Sequence, residues 1–265
     1  MADFTSDLLK VGSTNLHLRR VPGPDSQGGS TPILLLHEAL GAVTTWRDFP
    51  DKLASATERP VIAWSRAGFG RSDPLPDHPV GRLDRDYLHR EAARVLPLMD
   101  ALEIERAHLY GHSDGAAIAL ITAAIAPDRV AGLVLEAPHV TVEDQATAAI
   151  VSVTALYAQG DLRSRLARHH ADPDRVFANW CETWRDPAFK SWSLEDLLPR
   201  VACPTLLIQG VDDPYFSLGQ LDRIERAVPN TRRLELLACG HAPYRERTEE
   251  VLDAVARFLP SSAGT

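Results

Sequence analysis

The sequence predicts an α/β fold, a mostly parallel central sheet flanked by helices with an inserted helical cap, and two observations carry that reading. From Ile33 onward, short apolar runs alternate with stretches whose apolar residues recur at helical spacing, the order that builds parallel strands joined by crossover helices. The alternation fails once, over residues 140–199, an interval far longer than the usual connection of about two to six residues and mostly helical in pattern, with a turn at Asp172-Pro173-Asp174. Residues 1–139 and 200–265 are therefore expected to form the core and 140–199 the cap. With 265 residues, 45% of them hydrophobic, the chain can cover both faces of one such sheet.

Taken in order, strands are expected at Leu8–Val11, Leu16–Val21, Ile33–Leu36, Val61–Trp64, His108–Tyr110, Leu133–Leu135, Thr205–Ile208 and Leu234–Leu237. Leu88, Ala92, Val95, Leu96, Met99 and Leu102 share one helical face, although Pro97 should kink that helix or end it early. Ala116, Ala117, Ala119, Ala123 and Ala124 make a small-residue helix that can lie close to the sheet. Leu218, Leu221, Ile224 and Ala227 mark another helix, and Val251, Leu252, Val255, Phe258 and Leu259 the last. Within the inserted segment, Phe177, Trp180, Trp184, Phe189 and Trp192 either pack a helical layer or line an apolar pocket.

Between the apolar run Ala107–Tyr110 and the alanine-rich helix lies Gly111-His112-Ser113-Asp114-Gly115, a G-x-S-x-G turn from strand to helix. Such a turn places glycines where a Cβ would clash and lifts the serine Oγ out of the backbone at a helix N-terminus. A serine opening a helix can also be a simple cap. Its context argues for a nucleophile, because a serine needs a histidine base, an acid to orient the base and donors for an oxyanion. Asp212 and Asp213 follow the strand that ends at Gly210, and His241 follows the last strand, so the chain order is Ser, Asp, His.

These motifs resemble the α/β-hydrolase superfamily over nearly the whole chain. Ile33–Gly41 resembles the family's strand and His-Gly-x oxyanion loop, with Glu38 in place of the usual Gly. Ser65–Ser72 resembles its D-x-x-G-x-G-x-S loop, with Ser65 in place of Asp. The resemblance implies that Asp213, fourth in Gly210-Val211-Asp212-Asp213, orients His241, and that the backbone N–H groups of Ala39 and Asp114 form the oxyanion hole. It also implies a cap over Ser113. Beside that hole a bare Glu38 carboxylate would oppose the developing charge. Glu38 is expected to turn toward Arg66 or Arg71 in an ion pair, the alternative being that burial keeps it protonated.

His139 follows the strand next to the elbow and is expected to contact substrate together with Glu38, Trp180 and Trp184. His169 and His170 with Asp172 do not make a metal site, since adjacent helical residues point about 100° apart and no second cluster completes a shell. Arg163, Arg165 and Arg168 read as a solvated helix face rather than a substrate anchor. No Gly-rich phosphate loop is present, so no nucleotide or redox cofactor is expected. A net charge of −8 with scattered acidic residues argues against nucleic-acid binding. Residues 1–7 lack a secretory pattern and no run is long enough to span a membrane, which suggests a cytoplasmic enzyme that does not engage membranes, compatible with a homodimer. Cys181, Cys203 and Cys239 form no C-x-x-C pair and are expected to be reduced. The function that fits is a serine hydrolase of a small ester, thioester or lactone. A C–C bond hydrolase using the same residues and a non-catalytic ligand binder are the alternatives.

Overall fold

The structure, a computed structural model, describes residues 6–23, 30–74 and 80–259. Residues 1–5, which carry most of the N-terminal leader reading, lie outside them. One sheet of eight strands forms the centre: β1 (Asp7–Val11), β2 (Thr14–Val21), β3 (Ile33–Leu36), β4 (Val61–Trp64), β5 (Ala107–His112), β6 (Val130–Glu136), β7 (Thr205–Gly210) and β8 (Thr231–Leu236), in the order β1-β2-β4-β3-β5-β6-β7-β8. β1 and β2 pair antiparallel, β2 runs antiparallel to β4, and the remaining pairs are parallel.

β3 shows why the sheet must be covered on both sides. All of its residues are apolar and buried. Because side chains alternate along a strand, Leu34 and Leu36 enter one core while Ile33 and Leu35 enter the other. Helices α2 (Tyr87–Ala101) and α3 (Asp114–Ile125) close the first face; α1 (Phe49–Thr57) and α9 (Thr248–Phe258) close the second. α2 runs through Pro97 to Ala101, so of the kink or early end expected from sequence the early end does not occur. An internal proline costs about 3 kcal/mol. Val95, Leu98 and Met99 around it are fully buried, and each contributes about 1.5–3 kcal/mol, so packing outweighs the lost hydrogen bond.

Between β6 and β7 the chain forms α4 (Asp144–Ala158), α5 (Asp161–Leu166) and α6 (Pro173–Arg185). The expected turn at Asp172-Pro173-Asp174 is the start of α6: Asp172 accepts the Arg175 N–H at 3.0 Å, and Pro173 takes the first helical position, where its missing N–H costs nothing. After β7 come α7 (Gly219–Ala227) and, beyond β8, the short α8 (Pro243–Glu246). Among the described residues no helix is long and apolar enough to cross a membrane.

Candidate active site

Ser113 sits between β5 and α3 with φ 55°, a left-handed conformation that a non-glycine residue adopts only where its surroundings impose it. Here they do. A Cβ on Gly111 would lie 2.2 Å from the Gly115 carbonyl oxygen, and one on Gly115 would lie 1.9 Å from that of Leu36. Only glycine at both positions lets α3 approach β3 and β5 so closely. The Ser113 N–H donates to the Glu136 carbonyl at 2.9 Å, which ties the turn to β6.

On the neighbouring loops, His241 Nδ1 lies 2.7 Å from Asp213 Oδ2. Asp213 also accepts from Gln209 Nε2 at 2.7 Å and from the Tyr215 N–H at 2.8 Å, which fixes it at the end of β7. Asp212 is exposed. Burial lowers the pKa of His241, but the hydrogen bond and charge of Asp213, with Glu38 and Glu136 adding, outweigh burial and hold it above the usual histidine value. Ser113 and His241 line the same cavity, of about 70 Å³. Their direct contact does not close among the described residues, and catalytic hydrogen bonds often tighten only when substrate is bound.

Ala39 and Asp114 border this cavity as well. Neither backbone amide has a backbone acceptor among the described residues, so both remain free to donate. The oxyanion-type loop is braced by His37, whose Nδ1–H donates to the Glu38 carbonyl at 2.7 Å while Nε2 accepts the Arg66 N–H at 3.1 Å. Burial, followed by Arg66, pushes the His37 pKa well down, in keeping with this neutral tautomer.

The expected Glu38 ion pair does not form. Arg66 Nη2 donates to the Glu38 backbone carbonyl at 3.1 Å, Arg71 is exposed, and the Glu38 carboxylate turns back to accept the Leu40 N–H at 2.6 Å. Reaching two residues along its own loop orders less chain than crossing to another. Burial raises the Glu38 pKa against the opposing pull of Leu40, His241 and Arg66.

Both readings of the aromatic residues hold, for different members. Phe177, Phe189 and Trp192 pack inside the core, whereas Trp180 and Trp184 line the cavity. His139 is not on the cavity wall: fully buried, it stacks on Phe216 at 4.5 Å with its ring edge 3.8 Å from Asp114. Val140 and the aromatic layer close over it, so the expected substrate contact is corrected to a packing role. Asp114 also accepts the Tyr87 hydroxyl at 3.0 Å, and that hydroxyl accepts the Trp184 indole N–H at 3.2 Å. Burial raises the Asp114 pKa, with Arg66 opposing.

Sequence reasoning missed a second set of residues behind the site. His112 Nε2–H donates to the His241 carbonyl at 2.7 Å, and the Glu136 carboxyl accepts the Tyr244 N–H at 2.7 Å and the Tyr110 hydroxyl. Together they fasten the His241 loop to β5 and β6. Burial pushes Glu136 up to about 7 and His112 down to about 3. The available signal was a lone carboxylate closing the apolar run Val130–Leu135. His170 has a structural task too: its Nδ1 accepts the Gly70 N–H at 3.0 Å and its Nε2–H donates to the Leu40 carbonyl at 2.9 Å. Among the described residues no group of three or more His, Cys, Asp or Glu side chains is arranged to hold a metal ion, and the three cysteines are buried and free.

Comparison with known proteins agrees with this architecture. The model of the alpha/beta hydrolase family matches residues 33–254. Serine hydrolase BPHL of Mus musculus is 31% identical over 266 residues, covering 96% of this chain and 86% of that protein. Esterase YbfF of Escherichia coli (strain K12) is 24% identical over 260 residues, covering 91% and 97%. Among solved structures, the enol-lactonase from Burkholderia xenovorans LB400 superposes with a TM-score of 0.73 at 23% identity, covering 96% of this chain and 99% of that one. The chain belongs to the alpha/beta hydrolase family.

Proposed function

We propose that this member of the alpha/beta hydrolase family cleaves a small carboxylic ester, thioester or lactone through an acyl-enzyme formed on Ser113. The observation that carries the reading is the 2.7 Å contact by which Asp213 holds His241, which lines one cavity with Ser113. With Nδ1 committed to Asp213, the opposite ring nitrogen of His241 is left to take the Ser113 proton. Ser113 Oγ attacks the carbonyl carbon, and the oxygen that becomes negative is met by the Ala39 amide from the loop after β3 and the Asp114 amide at the start of α3. His241 then returns its proton to the leaving alcohol or thiol, and water, activated by the same ring, cleaves the acyl-enzyme. The reading is supported by the similarity of the chain to a serine hydrolase, an esterase and an enol-lactonase.

Ile150, Trp180, Trp184 and Phe216 make one side of the cavity apolar, which suits a short acyl chain. The carboxyl groups of Glu38 and Asp114 on the same wall disfavour an acyl group that carries its own carboxylate. A panel of p-nitrophenyl esters of increasing acyl length, lactones and vinylogous diketones, run beside a fluorophosphonate probe, tests the reading. Turnover of neutral short esters with probe labelling is expected, both abolished in Ser113→Ala. Diketone cleavage without ester turnover would replace it with C–C bond hydrolysis, and retention of activity within tenfold in Ser113→Ala would overturn the nucleophile.

A further inference from the structure

Arg163, Arg165 and Arg168, read from sequence as a solvated helix face, are all exposed, and Arg163 pairs with Asp174 at 2.8 Å. Arg165 and Arg168 line an open groove of about 310 Å³ with Arg47 and Arg245, brought in from two other segments. The nearby acidic groups are engaged elsewhere: Asp48 pairs with Lys52 at 3.0 Å, and Glu246 accepts the Gly240 and Ala242 amides at 2.7 and 3.2 Å. Among the described residues the only carboxyl on the groove wall is Glu38, which is turned onto Leu40. In a chain of net charge −8, four guanidinium groups therefore share one depression without ion pairs among the described residues. His169 registers their convergence, since its pKa lies below the usual value through burial first and then through Arg47, Arg168, Arg245 and Arg165.

The groove meets the acyl cavity at Glu38, Leu40 and His241, which line both. If His241 delivers the proton to the departing atom, the leaving group lies on the His241 side, and the groove is where its remainder extends. We infer that this groove is a leaving-group subsite that recognises a phosphate-bearing alcohol or thiol. The inference rests on the Ser113 and His241 reading above for its placement and on the arginine cluster for its chemistry. Guanidinium groups offer forked N–H donors that match phosphate oxygens, and several of them at one mouth draw in a polyanion that the rest of this acidic surface repels.

The test uses two matched pairs of substrates that differ in phosphate: acetyl-coenzyme A against S-acetyl-pantetheine, and an acyl ester of glycerol 3-phosphate against the same ester of glycerol. In at least one pair the phosphate-bearing member should have a kcat/KM about tenfold or more higher at low ionic strength, and added KCl should erode the preference. Which pair responds separates a thiol from an alcohol leaving group. In Arg165→Ala/Arg168→Ala the ratio should fall to within about twofold of one. Because both side chains are exposed, the variant should unfold at the parent's temperature. Absence of a phosphate preference in both pairs, or its survival in the double variant, would overturn the subsite. Calorimetric titration of Ser113→Ala with coenzyme A and with glycerol 3-phosphate separates the two readings. Binding that weakens about tenfold in Ser113→Ala/Arg165→Ala/Arg168→Ala supports the groove even if Ser113 proves not to be the nucleophile. No binding of either compound overturns the groove while leaving ester hydrolysis standing.

Discussion

The strand ends that present Ser113, Asp213 and His241 and the helices packed over them are held in different ways. β5 and β7 are buried almost throughout, and the loops that follow β7 and β8 are fastened by short hydrogen bonds: Gln209 to Asp213 at 2.7 Å, His112 to the His241 carbonyl at 2.7 Å, the Tyr244 N–H to Glu136 at 2.7 Å. The helical segment has a thinner hold. α4 buries only Ala146 and Ile150, and leaves Val151 and Leu156 51% and 53% exposed. The rest of the segment is joined to the core side by polar contacts such as His170 with Leu40 and Gly70, Asn179 with the Gly81 N–H at 2.8 Å and Thr183 with the Leu83 N–H at 2.8 Å, and by Phe177, Trp184 and Phe189, which pack into the core. The difference teaches where each property is stored. On the proposed function, the groups that must meet within tenths of an ångström sit at strand ends of the sheet, and the helical layer supplies part of the wall that would select a substrate.

The largest effect expected from this contrast falls on the sheet side. Asp213→Asn should lower kcat on a neutral ester by about 10⁴, as loss of the orienting acid does in serine proteases, whereas Asp212→Asn should change it less than about twofold. Equal losses would break the distinction between a buried acid and an exposed one. The same pair sharpens the pH behaviour. Only neutral His241 can take the Ser113 proton, and its pKa lies above the usual value, so the parent's kcat/KM should fall as pH drops through a point above about 6.5. Asp213→Asn should move that limb to lower pH, and an unmoved limb would assign it to another group.

Behind the site, Glu136 gives a stability test. Its folded pKa of about 7 exceeds the ordinary 4.5, so between those values the folded state holds a proton that the unfolded chain has released. The contribution is present below pH 4.5 and is lost as pH rises toward 7, a decline of up to about 1.4 kcal/mol per pH unit. Denaturant unfolding across that range should show the decline in the parent and a flatter curve in Glu136→Gln. A parallel pair of curves would mean that Glu136 stays ionised.

On the helical side, Trp184→Ala and Trp180→Ala should separate packing from selection. Trp184 is 3% exposed and donates to Tyr87, so its loss should cost about 3–5 kcal/mol in denaturant unfolding. Trp180 is only partly buried and borders the cavity, so its loss should cost less stability and shift the preferred acyl length upward, with about a tenfold change in kcat/KM ratios. Identical profiles would dissolve the distinction. The smallest effect is expected for Glu38→Gln, which keeps an acceptor for the Leu40 amide. Its kcat should stay within about tenfold of the parent, whereas a loss of about 10² or more with a displaced pH profile would give Glu38 a part in proton transfer.

Much of this was legible in the chain because it depends on neighbours in sequence. The alternation of apolar runs announced the parallel strands, the two glycines around Ser113 announced the turn, and the succession Ser113, Asp213, His241 past three strand ends announced the candidate site. Local reasoning failed where a side chain chooses among partners far along the chain. Pro97 ended no helix because residues from the sheet and α3 pack around it. Arg66 lay close enough to Glu38 to suggest an ion pair, yet it reaches the carbonyl and leaves the carboxylate to Leu40. His139 follows the right strand and is buried by an aromatic layer supplied by residues 184, 192 and 216.

The sequence by itself determined the strands, the elbow and the order of the reactive residues, since backbone sterics and apolar periodicity act over a few residues. Only the tertiary structure decided that Glu136 holds Tyr244 from 108 residues away and His112 holds His241 from 129, and that arginines 47, 165, 168 and 245 face one groove. Those contacts depend on sheet register and on how the inserted helices lie across it. Both are settled by the packing of whole elements, for which no short stretch of residues carries the instruction.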